Sequence, residues 1–391
     1  MSGAVLASDA RNAPLLPPPR RVLCVALAVL GTVTVLVAPG AVPAAAAPAA
    51  PVRRCVLSDP RLDEVSGMAV TPAGPAVVDD SGNATVVYTL APDCSVVSAR
   101  SVGVVGRDVE DLARSADGTL WLADIGDNDR RRTTIALIRL PVRGPASVRR
   151  LVYPDGPHDA ETLLLPPDGR PVIVTKDLGG RSGVYTTDVP PVGSSPTPLR
   201  HVGELVVPLS ATDGGPAGPF GRGLLTGGAL SADGRVVAVR TYTDAWLYRV
   251  DGDTASADAV VAALRGTPVD VPLAGEPQGE AVAFTADGTL LSAGESPTSR
   301  AGGGTASLRA VAGAASLVPT SDPASPAPSS SAPPPGSGSR DAATSTPGTG
   351  GPSTGVVVGV VGAVLGAAVL LGALVLAVRT RTVRRRARGR R

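Results

Sequence analysis

The chain has 391 residues, and its 36 Lys and Arg nearly balance its 34 Asp and Glu, for a formal net charge of +2. The balance is uneven: the last thirteen residues hold eight Arg and the first forty-seven a net of +2, so the stretch between carries a net −8. An acidic central part excludes nucleic acid as its partner. With only 2% aromatic residues but 47 Gly and 39 Pro, the composition favours short strands joined by many turns over a helical bundle.

In chain order, Arg20 and Arg21 precede an apolar run over 22–37, and Ala/Pro-rich sequence follows. This is the pattern of a secretory signal, predicted over residues 1–47 with cleavage near Ala45–Ala47. The run is short of the ~20 residues of a membrane span, although an uncleaved anchor is the alternative. Residues 48–317 form the predicted extracytoplasmic domain. Cys55 and Cys94 are the cysteines left after cleavage, and in an oxidising compartment they are predicted to pair.

The main signal inside this domain is a repeat. Its copies are Ser66-Gly-Met-Ala-Val-Thr-Pro-Ala-Gly74, Glu110-Asp-Leu-Ala-Arg-Ser-Ala-Asp-Gly118, Glu161-Thr-Leu-Leu-Leu-Pro-Pro-Asp-Gly169, Thr226-Gly-Gly-Ala-Leu-Ser-Ala-Asp-Gly234 and Glu280-Ala-Val-Ala-Phe-Thr-Ala-Asp-Gly288. Asp-Gly between apolar runs marks a hairpin. Further strand-like segments follow in each unit, at 85–90, 134–140, 183–188 and 245–250. Three or four strands per unit make a propeller blade. The expected fold is therefore all-β, a β-propeller of five or six blades with five visible repeats, and 52–57 is a candidate closing strand for the last one. A β-sandwich is the alternative, but it does not explain the period. Residues 256–265 have helical spacing behind a Ser256 cap and read as an insertion.

Residues 318–354, rich in Pro, Ser, Thr and Gly, read as an extended stalk. The uncharged apolar stretch 355–378 is long enough to span a bilayer as a helix. The Arg-rich tail 379–391 follows it, which places the tail inside the cell and the domain outside. The predicted location is the cell membrane, in a single pass. Gly351-Pro352-Ser353-Thr354-Gly355 before an apolar run also resembles a sortase signal with Gly in place of its Leu, so wall attachment is the alternative.

Glu110, Glu161 and Glu280 occupy one repeat position, at the start of the strand that lines a propeller's channel. They are predicted to converge at one mouth. Carboxylates at close range raise one another's pKa unless a cation lies between them, so these three are the candidate metal ligands, with calcium the candidate ion. Asp80, Asp124, Asp127, Lys176, Arg240 and Glu295 follow the second apolar run of their units and form a candidate polar rim. Asp108, His158 and Asp159 precede the repeat starts near the same place. Lys176 or Arg240 is a candidate phosphate ligand for a metal-assisted hydrolase.

Glu64-Val-Ser-Gly-Met-Ala69, Asp80-Ser-Gly82, Arg107-Asp-Val-Glu-Asp111, Asp124-Ile-Gly-Asp-Asn128, Tyr153-Pro-Asp-Gly156, Asp159-Ala-Glu161, Thr175-Lys176, Arg240-Thr-Tyr242 and Gln278-Gly-Glu-Ala281 together resemble a family of secreted actinobacterial β-propeller proteins. That family is distantly similar to phytase-like propellers. The resemblance covers about residues 55–315 and implies a propeller outside the cytoplasm, with no settled activity. Asp79, Val109 and Thr162 depart from its pattern. Three functions follow as expectations. The first is a tethered binding or scaffold module for a small-molecule, glycan or protein ligand. The second is a metal-dependent phosphoester or ester hydrolase, and the third a structural envelope component.

Overall fold

The structure is a computed structural model that describes residues 48–80, 84–216, 218–252, 254–296 and 306–319. The predicted signal, membrane helix and arginine tail, and all but the first two residues of the predicted stalk, lie outside the described residues. Among the described residues, no helix is long and apolar enough to cross a membrane.

The strands form five sheets, one per repeat. Blade I contains Val65–Thr71, Gly74–Asp79, Val86–Leu90 and Val96–Ser101. Blade II contains Asp111–Arg114, Leu120–Asp124, Ile135–Leu140 and Ser147–Val152, with Thr197–Pro198 added in parallel at its outer edge. Blade III contains Ala160–Leu164, Val172–Thr175, Ser182–Thr186 and Arg200–Leu205. Blade IV contains Leu225–Leu230, Val236–Thr241, Asp244–Arg249 and Val269–Pro272. Blade V contains Gln278–Phe284, Leu290–Glu295 and Ser307–Val311, and the N-terminal strand Val52–Val56 completes it. The molecule is thus a five-bladed β-propeller whose last blade is shared between the two ends of the domain.

The first strand of each blade touches the first strand of the next, and that of blade V touches that of blade I, which closes the ring. With five blades these inner strands run close together. An added Cβ on Gly67 would lie 2.6 Å from the Asp111 carbonyl carbon, so only glycine fits there. The apolar core is divided into five packets, one between each pair of neighbouring blades. Val172 and Val184 meet Val237 and Trp246 between III and IV, for example, while Met68 and Val77 meet Ala281 and Ala293 between V and I. Val318, read from sequence as the first stalk residue, packs into the packet between IV and V.

The repeated Asp-Gly sequence folds the same way in four blades. Asp117, Asp168, Asp233 and Asp287 each accept a backbone N–H from the residue two positions on, and the intervening glycine takes a left-handed φ of +71° to +83°. These hairpins all lie on one face of the ring. Because strands within a blade are antiparallel, the starts of the inner strands lie on the opposite face. Cys55 of the closing strand and Cys94 of blade I form a disulfide across a separation of 39 residues. The predicted helix is present as Ala257–Ala263, with the Ser256 hydroxyl accepting from the Ala259 N–H.

Candidate functional site at the propeller mouth

Antiparallel pairing brings the start of each inner strand beside the end of the second strand. Ala160 pairs with Thr175, Gln278 with Glu295 and Val65 with Asp79. The Glu positions and the polar rim, which are far apart in sequence, therefore belong to one mouth.

The first repeat residue sits on a β-bulge. The register breaks at Ser66, Glu161, Thr226 and Glu280. In blade II, Glu110 donates its N–H to Ala123, the residue that also pairs with Asp111. A bulge re-aims one side chain out of the ladder, and here it does so at the same level in all five blades. The ring it makes is Ser66, Glu110, Glu161, Thr226 and Glu280. Two residues earlier, on the same side of the chain, stand Glu64, Asp108, Asp159 and Gln278 in blades I, II, III and V.

The three predicted carboxylates are deeply buried, Glu110 with 5% exposure and Glu161 and Glu280 with 4% each. Ser66 Oγ lies 3.2 Å from Glu110 Oε2, and Gln278 Nε2 donates to Glu280 Oε1 at 3.1 Å. Lys176 donates to Glu161 Oε1 and lies 5.0 Å from the centre of the Tyr242 ring. Glu161 Oε2, Glu280 Oε2 and Asp80 Oδ1 are buried with no hydrogen-bond partner among the described residues, and so is Asp79 Oδ1 beside them. Gly126 makes room for this cluster: a Cβ there would overlap the Glu110 carboxylate and lie 2.7 Å from Asp108 Cγ.

The electrostatics follow from burial and like charge. Burial, then repulsion from Glu161, Asp108 and Asp80, holds Glu110 well above the usual carboxylate range. Glu280 is raised by burial and then by Glu161. Asp80 is raised by burial and then by Glu295 and Glu64. Asp108 is pushed up to about 6 by burial and Asp159, and Asp79 to about 8 by burial and Asp63. Burial pushes Glu161 up to about 7 against the pull of Lys176. Burial alone would lower the Lys176 ammonium, but Glu161, Tyr242, Glu280 and Asp159 outweigh it and hold its pKa well above the usual lysine value.

Asp111, the residue after Glu110, ties together the inner strands of blades II, III and IV. Its buried carboxylate accepts from Leu112 N at 2.8 Å, from Leu163 N of blade III at 2.8 Å and from Gly228 N of blade IV at 3.2 Å. It was not singled out from sequence. The available signal was its place in the repeat: the other copies have Gly67, Thr162, Gly227 and Ala281 there.

Asp80, Asp108, Asp159, Lys176 and Glu295 join the three Glu residues at this mouth, where their charges act on one another. Asp124 and Asp127 are engaged in shaping loops. Asp124 Oδ1 accepts from Arg107 N and Asp108 N and pairs with Arg132, each at 3.0 Å. Asp127 accepts Arg132 N at 2.7 Å and donates its own N–H to Asp159 at 2.8 Å. His158 Nε2 turns to Asp155 and the Tyr185 hydroxyl, each 3.0 Å away.

Arg240 corrects the expectation of a rim ligand. It is fully buried and donates to the carbonyls of Thr241, Ala281, Ala293 and Tyr242 and to Glu276 Oε2 at 3.1 Å. Its place as an inner residue of the second strand of blade IV points it between blades IV and V, where no phosphate reaches it.

For the calcium expectation, the donors are of the right type, hard carboxylate oxygens, two of them buried on Glu residues and unpartnered. Among the described residues, however, no three His, Cys, Asp or Glu side chains are gathered as a ligand set for an ion.

No family model matches the chain, and no curated protein matches it in sequence. Three solved structures similar in shape are a PQQ-bound aldose sugar dehydrogenase from Streptomyces coelicolor, a gluconolactonase from Xanthomonas campestris and a virginiamycin B lyase from Staphylococcus aureus. The first is 14% identical with a TM-score of 0.40, over 68% of this chain and 99% of that one. The second is 15% identical with a TM-score of 0.38, over 69% and 86%. The third is 14% identical with a TM-score of 0.31, over 61% and 79%. Likeness at this level carries no argument about chemistry, and the fold rests on the blade pairing described above.

Proposed function

We propose that this chain is a membrane-tethered, extracytoplasmic binding module whose propeller mouth takes a cationic ligand. The observation that supports this most is the set of buried carboxylate oxygens on blades I, III and V that have no hydrogen-bond partner among the described residues and share the mouth with Lys176. Burying a carboxylate oxygen without a partner costs several kcal/mol, and an incoming cation removes that cost. The hydrolase reading loses support, because a phosphate ligand was required of Arg240 or Lys176. Arg240 lies in the core and Lys176 is paired with Glu161. Tethering rests on the signal pattern, the apolar stretch 355–378 and the arginine tail in the sequence.

The test is thermal melting of the full-length chain with a panel of cations, from calcium and magnesium to alkyl diamines, at constant ionic strength. At least one member raises the melting temperature of the wild type, and the rise is lost in Glu280→Gln. A flat response across the panel would sink the proposal. Extraction of membranes at alkaline pH checks the tether: the chain stays with the membrane, and its release into the soluble fraction would refute that part.

A further inference from the structure

We infer that residues 208–216 form a strap that the Asp244 carboxylate holds down over Tyr242, and that the strap is released when Asp270 beside it loses its proton. The segment follows the last strand of blade III, Arg200–Leu205, and leads toward blade IV. Val207 anchors it in the packet between those blades, but none of the side chains of 208–216 belongs to the five apolar packets. Leu209 is 79% exposed. What holds the segment is polar. Asp244, fully buried at the start of the third strand of blade IV, accepts from the Ser210 and Thr212 hydroxyls of the strap and from the Thr243 hydroxyl. Hydrogen bonds to a charged acceptor are about twice as strong as neutral ones. The other ties are weaker. Gly275 N donates to the Asp213 carbonyl at 3.4 Å and Gly215 N to the Glu276 carbonyl at 3.5 Å, both long for backbone bonds. Arg222, on the turn Gly218–Gly223, reaches the Ser210 carbonyl and the exposed Asp213 carboxylate at 3.2 Å each. A segment held by a few polar contacts without apolar packing opens at low cost.

The strap lies directly on Tyr242: an added Cβ on Gly215 would be 2.9 Å from Tyr242 Cβ. The Tyr242 ring in turn lies 5.0 Å from the Lys176 ammonium. Lifting the strap therefore bares Tyr242 at the blade IV edge of the mouth. Asp270 supplies the trigger. Asp244 pairs with Pro272 and Trp246 with Asp270, so the two carboxyls are diagonal neighbours on one face of the sheet. Asp270 shares a hydrogen bond with Asp244, and its Oδ1 is buried with no partner among the described residues. Asp244 is the charged group that acts on it, while the strap's own carboxylate, Asp213, is turned to Arg222. Burial and then Asp244 push Asp270 up to about 6. Protonated, Asp270 donates to Asp244, and the pair carries one charge that the strap hydroxyls satisfy. Ionised, it sets a second charge against the first. Lifting the strap lets water screen both, and Asp270 returns toward its ordinary 3.8. The proton thus favours the closed strap fully below about pH 4, and that advantage is lost as pH rises to about 6. Opening gains about tenfold per pH unit across this window, about 100-fold in all.

Hydrogen exchange of the full-length chain at constant ionic strength tests this, read as protection factors for 208–216 from pH 4 to pH 7. The expected result is a fall of about 100-fold between pH 4 and pH 6 that levels off above. Asp270→Asn, a neutral stand-in for the protonated acid, keeps the strap protected throughout. Ser210→Ala combined with Thr212→Val, both on the strap itself, lowers its protection about tenfold or more at pH 4, while strand Val236–Thr241 of the same blade is unchanged. Strap protection that is flat with pH in the wild type, or that falls equally in Asp270→Asn, overturns the trigger. Unchanged protection in the Ser210 and Thr212 variant overturns the latch. None of these readouts involves a ligand, so their failure leaves the cationic mouth standing, and a flat response to cations leaves the strap standing.

Discussion

Lys176→Met isolates the positive charge that pairs with Glu161 among the mouth carboxylates. The variant keeps a long apolar stem over Tyr242 and removes only the ammonium. Glu161 then has neither oxygen partnered, with its side chain 5% exposed. Breaking a buried ion pair in this way costs about 3–5 kcal/mol, but a carboxylate escapes part of the cost by taking up a proton. The sign follows from the wild-type position of Glu161, raised from 4.5 to about 7 by burial. A raised carboxylate contributes stability that is complete below its unfolded pKa and lost as pH rises through its folded one. Without Lys176 that folded value moves higher still. Below about pH 7 Glu161 is protonated in both proteins, and the variant loses only packing. Above it the wild type ionises against Lys176 while the variant must hold its proton. The deficit then grows by about 1.4 kcal/mol per pH unit, reaching ~3 kcal/mol at pH 9. For a domain of this size each kcal/mol is about 2–4 °C. The variant should therefore fall a further ~6–12 °C behind wild type between pH 6 and pH 9. Melting curves followed by tryptophan fluorescence at pH 6, 7.5 and 9 measure this. A deficit equal at all three pH values would refute the claim that the ammonium neutralises Glu161.

Two further outcomes follow from the same geometry. Gly126→Ala places a Cβ against the Glu110 and Asp108 carboxylates, so it should cost about 1–3 kcal/mol by overpacking and abolish the cation-induced rise in melting temperature; an unchanged cation response would show that Glu110 takes no part. Reducing the Cys55–Cys94 bond, which ties the closing strand of blade V to blade I across 39 residues, should cost about 4 kcal/mol by the chain-entropy estimate. That is a fall of ~8–16 °C in reductant, and a shift below 2 °C would mean the ring closes without it.

The repeat was legible because a blade is a local object. Each copy puts an apolar run, a turn ending in Gly and a second apolar run within about twenty residues, and in four of the five an Asp side chain that folds the turn lies inside the motif itself. The count of five became definite only through Val52–Val56, since its partner Ser307–Val311 lies some 250 residues away and neither strand carries the repeat. The convergence of Glu110, Glu161 and Glu280 was also legible, because equal repeat positions in a closed ring share one level. What the period could not convey is the bulge. A regular strand alternates its side chains between two faces, and nothing in Glu-x-Leu or Glu-x-Val announces the extra residue that turns the carboxylate into the channel.

The same limit explains Arg240 and Lys176, which the sequence presents as equivalents. Both end the second strand of their blades. Lys176 stands one residue past Thr175, the last residue of its strand, and its side chain reaches the mouth. Arg240 stands one residue before the end of its strand, two register positions from the place of Lys176, which Tyr242 takes in blade IV. Its side chain enters the gap between blades IV and V, where four carbonyls and Glu276 surround its guanidinium. Two residues of register separate a charge available to the site from one that holds two blades together. Composition and spacing describe both residues alike, so the division of labour between them is a property of the sheet and not of either motif.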